Sequence, residues 1–179
     1  MSPAVVGAQG GLEENLMHRL RGAARLAVVG IGDELQRQDR LGLLAAKELQ
    51  GLGLPGVRVF LAGTVPEAIT GPVRRFRPDH ILLLDAAELG LRPGGVAVVD
   101  SARVGTTMLS THSLPLSVVM GYLAETTGSP VTLVGIQPDL DARGDDLTAA
   151  EEAGIARVVG CMHRCLVSRG RRPLSSKAL

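Results

Sequence analysis

Five short and almost continuously apolar runs constrain the fold of this chain more than any other feature. Runs of this kind predict strands; the first is expected to be buried, and the third, which is continuously apolar, to be central in a largely parallel sheet. The predicted strands cover residues 25–32, 57–63, 79–89, 95–100 and 130–139. Segments with helical spacing lie between or beside them, at 12–21, 40–56, 115–128 and 147–168, and a further short helix starts at Pro66. This alternation predicts an α/β sandwich with helices on both faces of the sheet.

The third and fourth predicted strands are the exception to this alternation. Only a short turn segment, with the sequence RPGG, separates them, which is too little chain for a helical crossover. We therefore expect this pair to be antiparallel, or the fourth strand to lie at an edge of the sheet. There is no internal repeat and no linker, so we expect a flexible N-terminus at 1–11, a single α/β domain at 12–168 and a basic tail at 169–179.

Charge and composition exclude several classes of function. The formal net charge is +1, and the aromatic residues are only Phe60, Phe76 and Tyr122. The chain therefore offers neither a basic field nor a stacking surface for nucleic acid. Its apolar runs are far shorter than the roughly 20 residues that span a bilayer. The N-terminal residues include acids where a signal peptide would be basic, so we predict a cytoplasmic protein without a membrane partner.

The segment GIGDELQRQDRLG, residues 30–42, follows the first predicted strand and resembles a glycine-rich phosphate loop. The dinucleotide pattern fails because its sixth position is Leu35, and the P-loop pattern fails because there is no lysine. What remains is a loop that carries carboxylates, with Asp39 near its end. The alternative is that Asp39 caps the helix that begins near Leu41.

Asp85 and His112 are the other candidate site residues. Asp85 ends a central apolar strand, where a carboxylate must be paired or must bind a ligand. His112 lies in an irregular loop. Together with Asp39 they form a set of one histidine and two carboxylates, which suits a divalent metal ion. The alternatives are that loop amides satisfy Asp85 and that His112 is merely exposed or hydrogen-bonded.

Two further arrangements are weaker. A Ser-His-Asp triad could use Ser110 or Ser113 beside His112, but the chain has no G-x-S-x-G elbow. Cys161, Cys165 and His163 suggest a metal site, but His163 points away from the helix face that the two thiols share. We therefore interpret the cysteines as small buried hydrophobic residues, without a disulfide framework.

Several segments in a fixed order carry a family resemblance. They are GIGDELQRQDRLG at 30–42, GTVPE at 63–67, LLLDAAELGLRPGGVAVVD at 82–100, STHSLPL at 110–116 and LVGIQPD at 133–139. Over about residues 24–165 the chain resembles the maturation endopeptidases of nickel-iron hydrogenases. The most similar branch processes the large subunit of formate-hydrogenlyase-type hydrogenases.

The resemblance implies a fold, an activity and a site. The fold is an α/β/α sandwich around a twisted five-stranded sheet. The activity is that of an aspartic-type endopeptidase, which removes the C-terminal extension of the hydrogenase large-subunit precursor after nickel insertion. The residues implied to engage nickel, as metal ligands and catalytic groups, are Asp39, Asp85 and His112. The nickel is supplied in the precursor, another divalent metal could replace it in vitro, and no cofactor-binding residues are implied.

Three residues of the loop depart from the family pattern G-[IV]-G-N-x-x-x-x-D-[DE]-G-x-G. Asp33 replaces the asparagine, Gln38 the first acid and Arg40 the glycine after the second acid. If that glycine serves a turn with positive φ, Arg40 adopts it at a cost. The segment DARGDD at 141–146 also lacks the apolar and aromatic residues expected there. These departures motivate an alternative, a non-catalytic protein that binds nickel or the large subunit. A nucleotide-binding domain rests on fold analogy alone.

Overall fold

A computed structural model of the chain describes residues 11–99 and 115–169. Most of the predicted flexible N-terminus, the loop that contains His112 and nearly all of the predicted basic tail lie outside these residues. The domain boundaries stay predictions.

The described residues form five helices and five strands, close to the predicted positions. The strands are β1 (Leu26–Ile31), β2 (Val57–Gly63), β3 (His80–Ala86), β4 (Val96–Val99) and β5 (Val131–Ile136). The helices are α1 (Leu12–Arg19), α2 (Leu41–Gly51), α3 (Thr70–Phe76), α4 (Leu116–Thr127) and α5 (Ala149–Arg169), and a 3-10 turn at Pro66–Ile69 leads into α3. Proline suits the start of this turn because its missing N–H would be unpaired there in any case.

The strands form one sheet in the order β2-β1-β3-β5-β4. Four strands are parallel, and β4 pairs with β5 in the antiparallel direction at one edge. The prediction of an edge position for β4 is therefore confirmed. β4 also runs antiparallel to β3, but the two strands do not pair with each other. The reason is that β5 lies between them, and the β3–β4 connection passes over its end. Gln137 holds that connection, since its Oε1 accepts a hydrogen bond from the Leu89 N–H at 2.7 Å.

Helices cover both faces of the sheet, so the predicted sandwich is confirmed. Alternate strand residues point to opposite sides, as the two-residue period of a strand requires. One set packs against α1, α2 and α5, and the other packs against α3 and α4. All seven residues of β3 are buried, which agrees with its predicted central position. Within residues 11–99 and 115–169, every helix is too short or too polar to cross a membrane.

Candidate active site

Asp39 and Asp85 lie at the same side of the sheet, the one formed by the carboxyl ends of its parallel strands β1 and β3. This side is called the carboxyl edge of the sheet. Asp85 belongs to the end of β3, and the loop after β1 carries Asp39. Gly42 shows how closely the two parts meet. An ideal Cβ built on Gly42 would lie 2.2 Å from the carbonyl oxygen of Leu84 and 2.5 Å from Cα of Asp85. The first turn of α2 therefore lies directly against the end of β3, and Asp39 is only three residues before that contact.

A second glycine closes the loop on itself. Gly32 has a φ of +132°, which an L side chain rarely adopts. A Cβ on Gly32 would lie 2.0 Å from the backbone oxygen of Asp39. The Gly32 N–H also donates to the carbonyl oxygen of Gly63, at the end of β2, at 3.0 Å. Glycine is thus required here by both the backbone angle and the close approach of the two ends of the loop.

The two oxygen atoms of the Asp39 carboxylate differ in their hydrogen bonding. Its Oδ2 accepts a hydrogen bond from the Asp33 N–H at 2.7 Å. Its Oδ1 is buried and has no hydrogen-bond partner among the described residues. The capping hypothesis is wrong, because Arg40 occupies the N-cap of α2 and no side chain caps that helix. A buried carboxylate oxygen without a partner is costly, so such an atom is suited to a ligand.

Asp85 is held differently. Its side chain is completely buried, and its Oδ1 accepts a hydrogen bond from the Ala86 N–H at 2.8 Å. This bond fixes the carboxylate at the end of the strand. The bond is consistent with a carboxylate that nearby amides satisfy. It is equally consistent with a carboxylate that is held in a fixed orientation to bind a metal ion, so both interpretations of Asp85 remain.

His112 lies outside the described residues, as do Ser110 and Ser113. The structure therefore tests neither the third ligand nor the serine triad. In the part of the chain that the structure describes, no three histidine, cysteine, aspartate or glutamate side chains are grouped to hold a metal ion.

Known proteins share this fold and are similar in sequence over most of this chain. The family model of HycI, hydrogenase maturation protease, matches residues 44–161. The Hydrogenase 3 maturation protease of Escherichia coli K12 is 31% identical over 111 residues, which cover 62% of this chain and 70% of that protein. The chain belongs to the hydrogenase maturation protease family. It is accordingly an endopeptidase, and the matched range includes Asp85 and His112 and begins just after Asp39.

Solved structures of the family agree. The crystal structure of HycI, a NiFe hydrogenase maturation protease from Thermococcus kodakarensis, aligns with a TM-score of 0.75 and 29% identity, covering 86% of this chain and 99% of that one. The solution structure of the endopeptidase HycI from Escherichia coli aligns with a TM-score of 0.67 and 26% identity, covering 76% and 87% of the two chains.

Arg40, where the family pattern has glycine, is not strained. Its φ is −77° and its ψ is −3°, in the right-handed helical region that every L residue adopts. Arg40 therefore does not adopt a turn with positive φ, and the cost that such a turn would carry does not arise here. The reason is that residue 40 already belongs to the turn that leads into α2, and Gly32 supplies the left-handed conformation of the loop instead.

A buried ion pair beside the site was missed by sequence reasoning. Nη1 of Arg37 lies 2.5 Å from Oε1 of Glu151, and the two side chains are 4% and 0% exposed. Glu151 also forms a capping box with Thr148, whose N–H donates to Oε2 at 2.9 Å while its Oγ1 accepts from the Glu151 N–H at 3.2 Å. The T-x-x-E spacing of this box is visible in the sequence. Its arginine partner, 114 residues earlier, is not.

The two cysteines behave as small hydrophobic residues, as predicted. Cys161 and Cys165 are buried thiols on α5 and form no disulfide, whereas His163 between them is exposed. A hydrogen bond with Cys165, and then burial, raise the pKa of the Cys161 thiol far above its ordinary value. Such a thiol is a poor nucleophile and a poor metal ligand, because both roles require the thiolate.

Proposed function

We propose that this protease removes the C-terminal extension of a nickel-iron hydrogenase large-subunit precursor after nickel has been inserted. In this proposal Asp39, Asp85 and His112 engage the nickel of the precursor. The observation that supports it best is the buried Oδ1 of Asp39, which has no partner among the described residues. It lies at the carboxyl edge of the sheet, where the end of β3 presents Asp85, and that edge is where α/β folds place their ligands.

Recognition depends in this proposal on the metal that the substrate carries. One imidazole and two carboxylates suit a borderline divalent ion such as nickel. The contact docks the scissile bond only when nickel is present. A precursor without nickel lacks the contact and is not cut. Cleavage therefore follows nickel insertion, because only the nickel-loaded substrate can bind in this way.

Hydrolysis requires a water molecule and a base within reach of the scissile carbonyl carbon. In an aspartic-type reaction a carboxylate of the site accepts the proton of the attacking water, and the proton then passes to the leaving amine. Asp39 is partly exposed, whereas Asp85 is completely buried. Asp39 is therefore the less buried of the two residues in this conformation. The cytoplasmic location inferred from the sequence stays a prediction.

Cleavage of a nickel-loaded precursor tests the proposal. We expect Asp39→Asn, Asp85→Asn and His112→Ala each to lower kcat/KM by about 100-fold or more, because each removes a ligand or the base. The wild type should leave a nickel-free precursor uncut. The matched control is Asp79→Asn, just before β3 at the opposite end of the same strand. Its Oδ2 accepts from the N–H groups of Ala24 and Arg25, and an amide oxygen can replace that acceptor.

The possible results separate the two hypotheses. Undiminished cleavage by both Asp39→Asn and His112→Ala would contradict the assignment of the site. A wild type that binds the loaded precursor but leaves its extension in place would favour the alternative, a non-catalytic binding protein, which membership of this protease family does not favour.

A further inference from the structure

The guanidinium of Arg37 ties the carboxylate loop to the segment between β5 and α5. Arg37 is only 5% exposed. Besides its ion pair with Glu151, it donates from Nε to the carbonyl oxygen of Gly144 at 3.1 Å, and from Nη2 to those of Asp139 and Ala142 at 2.9 and 2.8 Å. Four hydrogen bonds from one planar fork fix both segments in one relative position.

The acidic partner of Arg37 is equally well satisfied. Oε1 of Glu151 accepts from Arg37 and from the Asp139 N–H at 2.9 Å, and Oε2 accepts from the Thr148 N–H. A buried ion pair is tolerated when hydrogen bonds satisfy its remaining polar atoms, and it is disruptive when one partner is removed. This pair meets the first condition, so it acts as a rigid connection.

That connection reaches Asp39 through a single turn of backbone. The carbonyl oxygen of Gln36 accepts hydrogen bonds from the N–H groups of Asp39 and Arg40, both at 3.0 Å. Arg37 lies inside this turn, two residues before Asp39. The Asp33 N–H closes the other side of the loop on Oδ2 of Asp39. Holding Arg37 therefore holds the turn from which the Asp39 carboxylate projects.

The residues on either side of Asp39 reach the same segment. Nε2 of Gln38 lies 3.4 Å from the carbonyl oxygen of Leu140, and Nη2 of Arg40 donates to that of Asp145. Gln38 and Arg40 are two of the positions at which this chain departs from the family loop pattern. Both are thus directed to the backbone of the segment that Arg37 also binds.

We propose that Arg37, with Glu151 beneath it, is a positioning residue that fixes Asp39 for its role in the site. The inference rests on the proposed function for the role of Asp39. The contact itself can be tested apart from activity, because the Asp33 amide is bonded to the Asp39 carboxylate and so reports where that carboxylate lies.

The experiment compares Arg37→Met, Arg37→Lys and a control, Arg164→Met, in the full chain. Arg164, on α5, also pairs with a glutamate, since its Nη2 lies 2.8 Å from Oε2 of Glu13 on α1, but the two side chains are 58% and 38% exposed. Amide hydrogen exchange is followed at Asp33 and along β3, and cleavage is measured on the nickel-loaded precursor. Arg37→Lys keeps the charge but loses the fork, so it keeps the proposal testable if Arg37→Met does not fold.

For Arg37→Met we expect the Asp33 amide to lose at least about 10-fold more protection than the β3 amides, which report the loss of global stability caused by leaving Glu151 buried without its partner. Cleavage should fall by about 100-fold, the loss that a misplacement near 1 Å produces. Arg37→Lys should be intermediate in both measurements, and Arg164→Met should match the wild type.

Three results would overturn the proposal: unchanged exchange at Asp33, faster exchange with full cleavage, or equal acceleration along β3, which indicates a general loss of stability. A wild type that does not cut the precursor would instead overturn the proposed function, and the exchange measurement would still decide whether Arg37 positions Asp39.

Discussion

The strand that carries Asp85 and the loop that carries Asp39 meet at the carboxyl edge of the sheet, but different forces hold them. β3 is buried along its whole length and pairs with a parallel strand on each side. The loop at 32–40 has no such neighbours and contains few buried residues. Hydrogen bonds, two glycines and the Arg37–Glu151 pair hold it instead. Packing therefore positions one carboxylate, and polar contacts position the other.

This difference implies different responses to substitution. Removing apolar atoms from β3 should lower the stability of the whole domain, because the core is shared by every element. Changes in the loop should displace Asp39 with less effect on global unfolding, since local regions held by few apolar contacts open separately. Substitutions in the two regions test this difference.

The largest expected effect on stability is that of Leu82→Ala in β3. Leu82 is completely buried, and its truncation leaves a cavity in the core. We expect the free energy of unfolding to fall by about 2–5 kcal/mol. Cleavage per folded molecule should stay near the wild-type value, because β3 keeps its register. Denaturant unfolding and cleavage at a temperature where the variant is folded check this. A selective loss of cleavage at full stability would contradict the expectation that substitutions in β3 act through the stability of the domain.

Gly42→Ala should affect both the loop that carries Asp39 and the strand that carries Asp85, because Gly42 is where α2 lies against the end of β3. The new Cβ would come within 2.2 Å of the Leu84 carbonyl oxygen, a backbone atom that cannot move aside alone. We expect a loss of about 1–3 kcal/mol in stability together with reduced cleavage. Gly51→Ala, at the end of the same helix, is the control. Its Cβ would meet nothing within 4 Å, so the free energy of unfolding should be unchanged or slightly higher. Equal behaviour of the two variants would argue against the close contact.

The same division explains what could be predicted from the sequence. The sequence predicts β2 at 57–63, and it is observed at Val57–Gly63. Its apolar residues form a local pattern that is visible in the sequence, although β2 lies at an edge of the sheet and none of its residues is fully buried. Pairing is not local, so the insertion of β5 beside β4 was not foreseen. Whether Asp39 caps a helix or faces a ligand depends on which amide it meets, and that amide belongs to Asp33. The Arg37–Glu151 pair joins two segments whose proximity only the folded chain creates.

Arg40→Gly, which restores the residue of the family pattern, should change little on the loop side. Because φ of Arg40 is −77°, glycine relieves no strain there, and we expect the free energy of unfolding to change by less than about 1 kcal/mol. Gly32→Ala is the informative contrast, since φ of Gly32 is +132° and its Cβ would lie 2.0 Å from the Asp39 oxygen. We expect that variant to be less stable and to cut poorly. A marked gain of stability in Arg40→Gly would contradict the observed backbone angle.

The smallest effect is expected at Cys161, on α5 well beyond the first turn that carries Glu151. Its pKa is raised by the hydrogen bond with Cys165 and by burial, so its thiolate fraction at pH 7 to 8 lies below that of an exposed thiol. Iodoacetamide should therefore leave Cys161 unmodified in the folded protein and react once denaturant exposes it. Mass spectrometry of the labelled peptides measures this. Cys161→Ala should keep full cleavage, because the polar and charged groups that act on this thiol, Cys165, Glu13 and Arg164, belong to α1 and α5. Rapid labelling of the native chain would contradict the burial of Cys161, and loss of cleavage in Cys161→Ala would show that the activity depends on α5 well beyond the turn that carries Glu151.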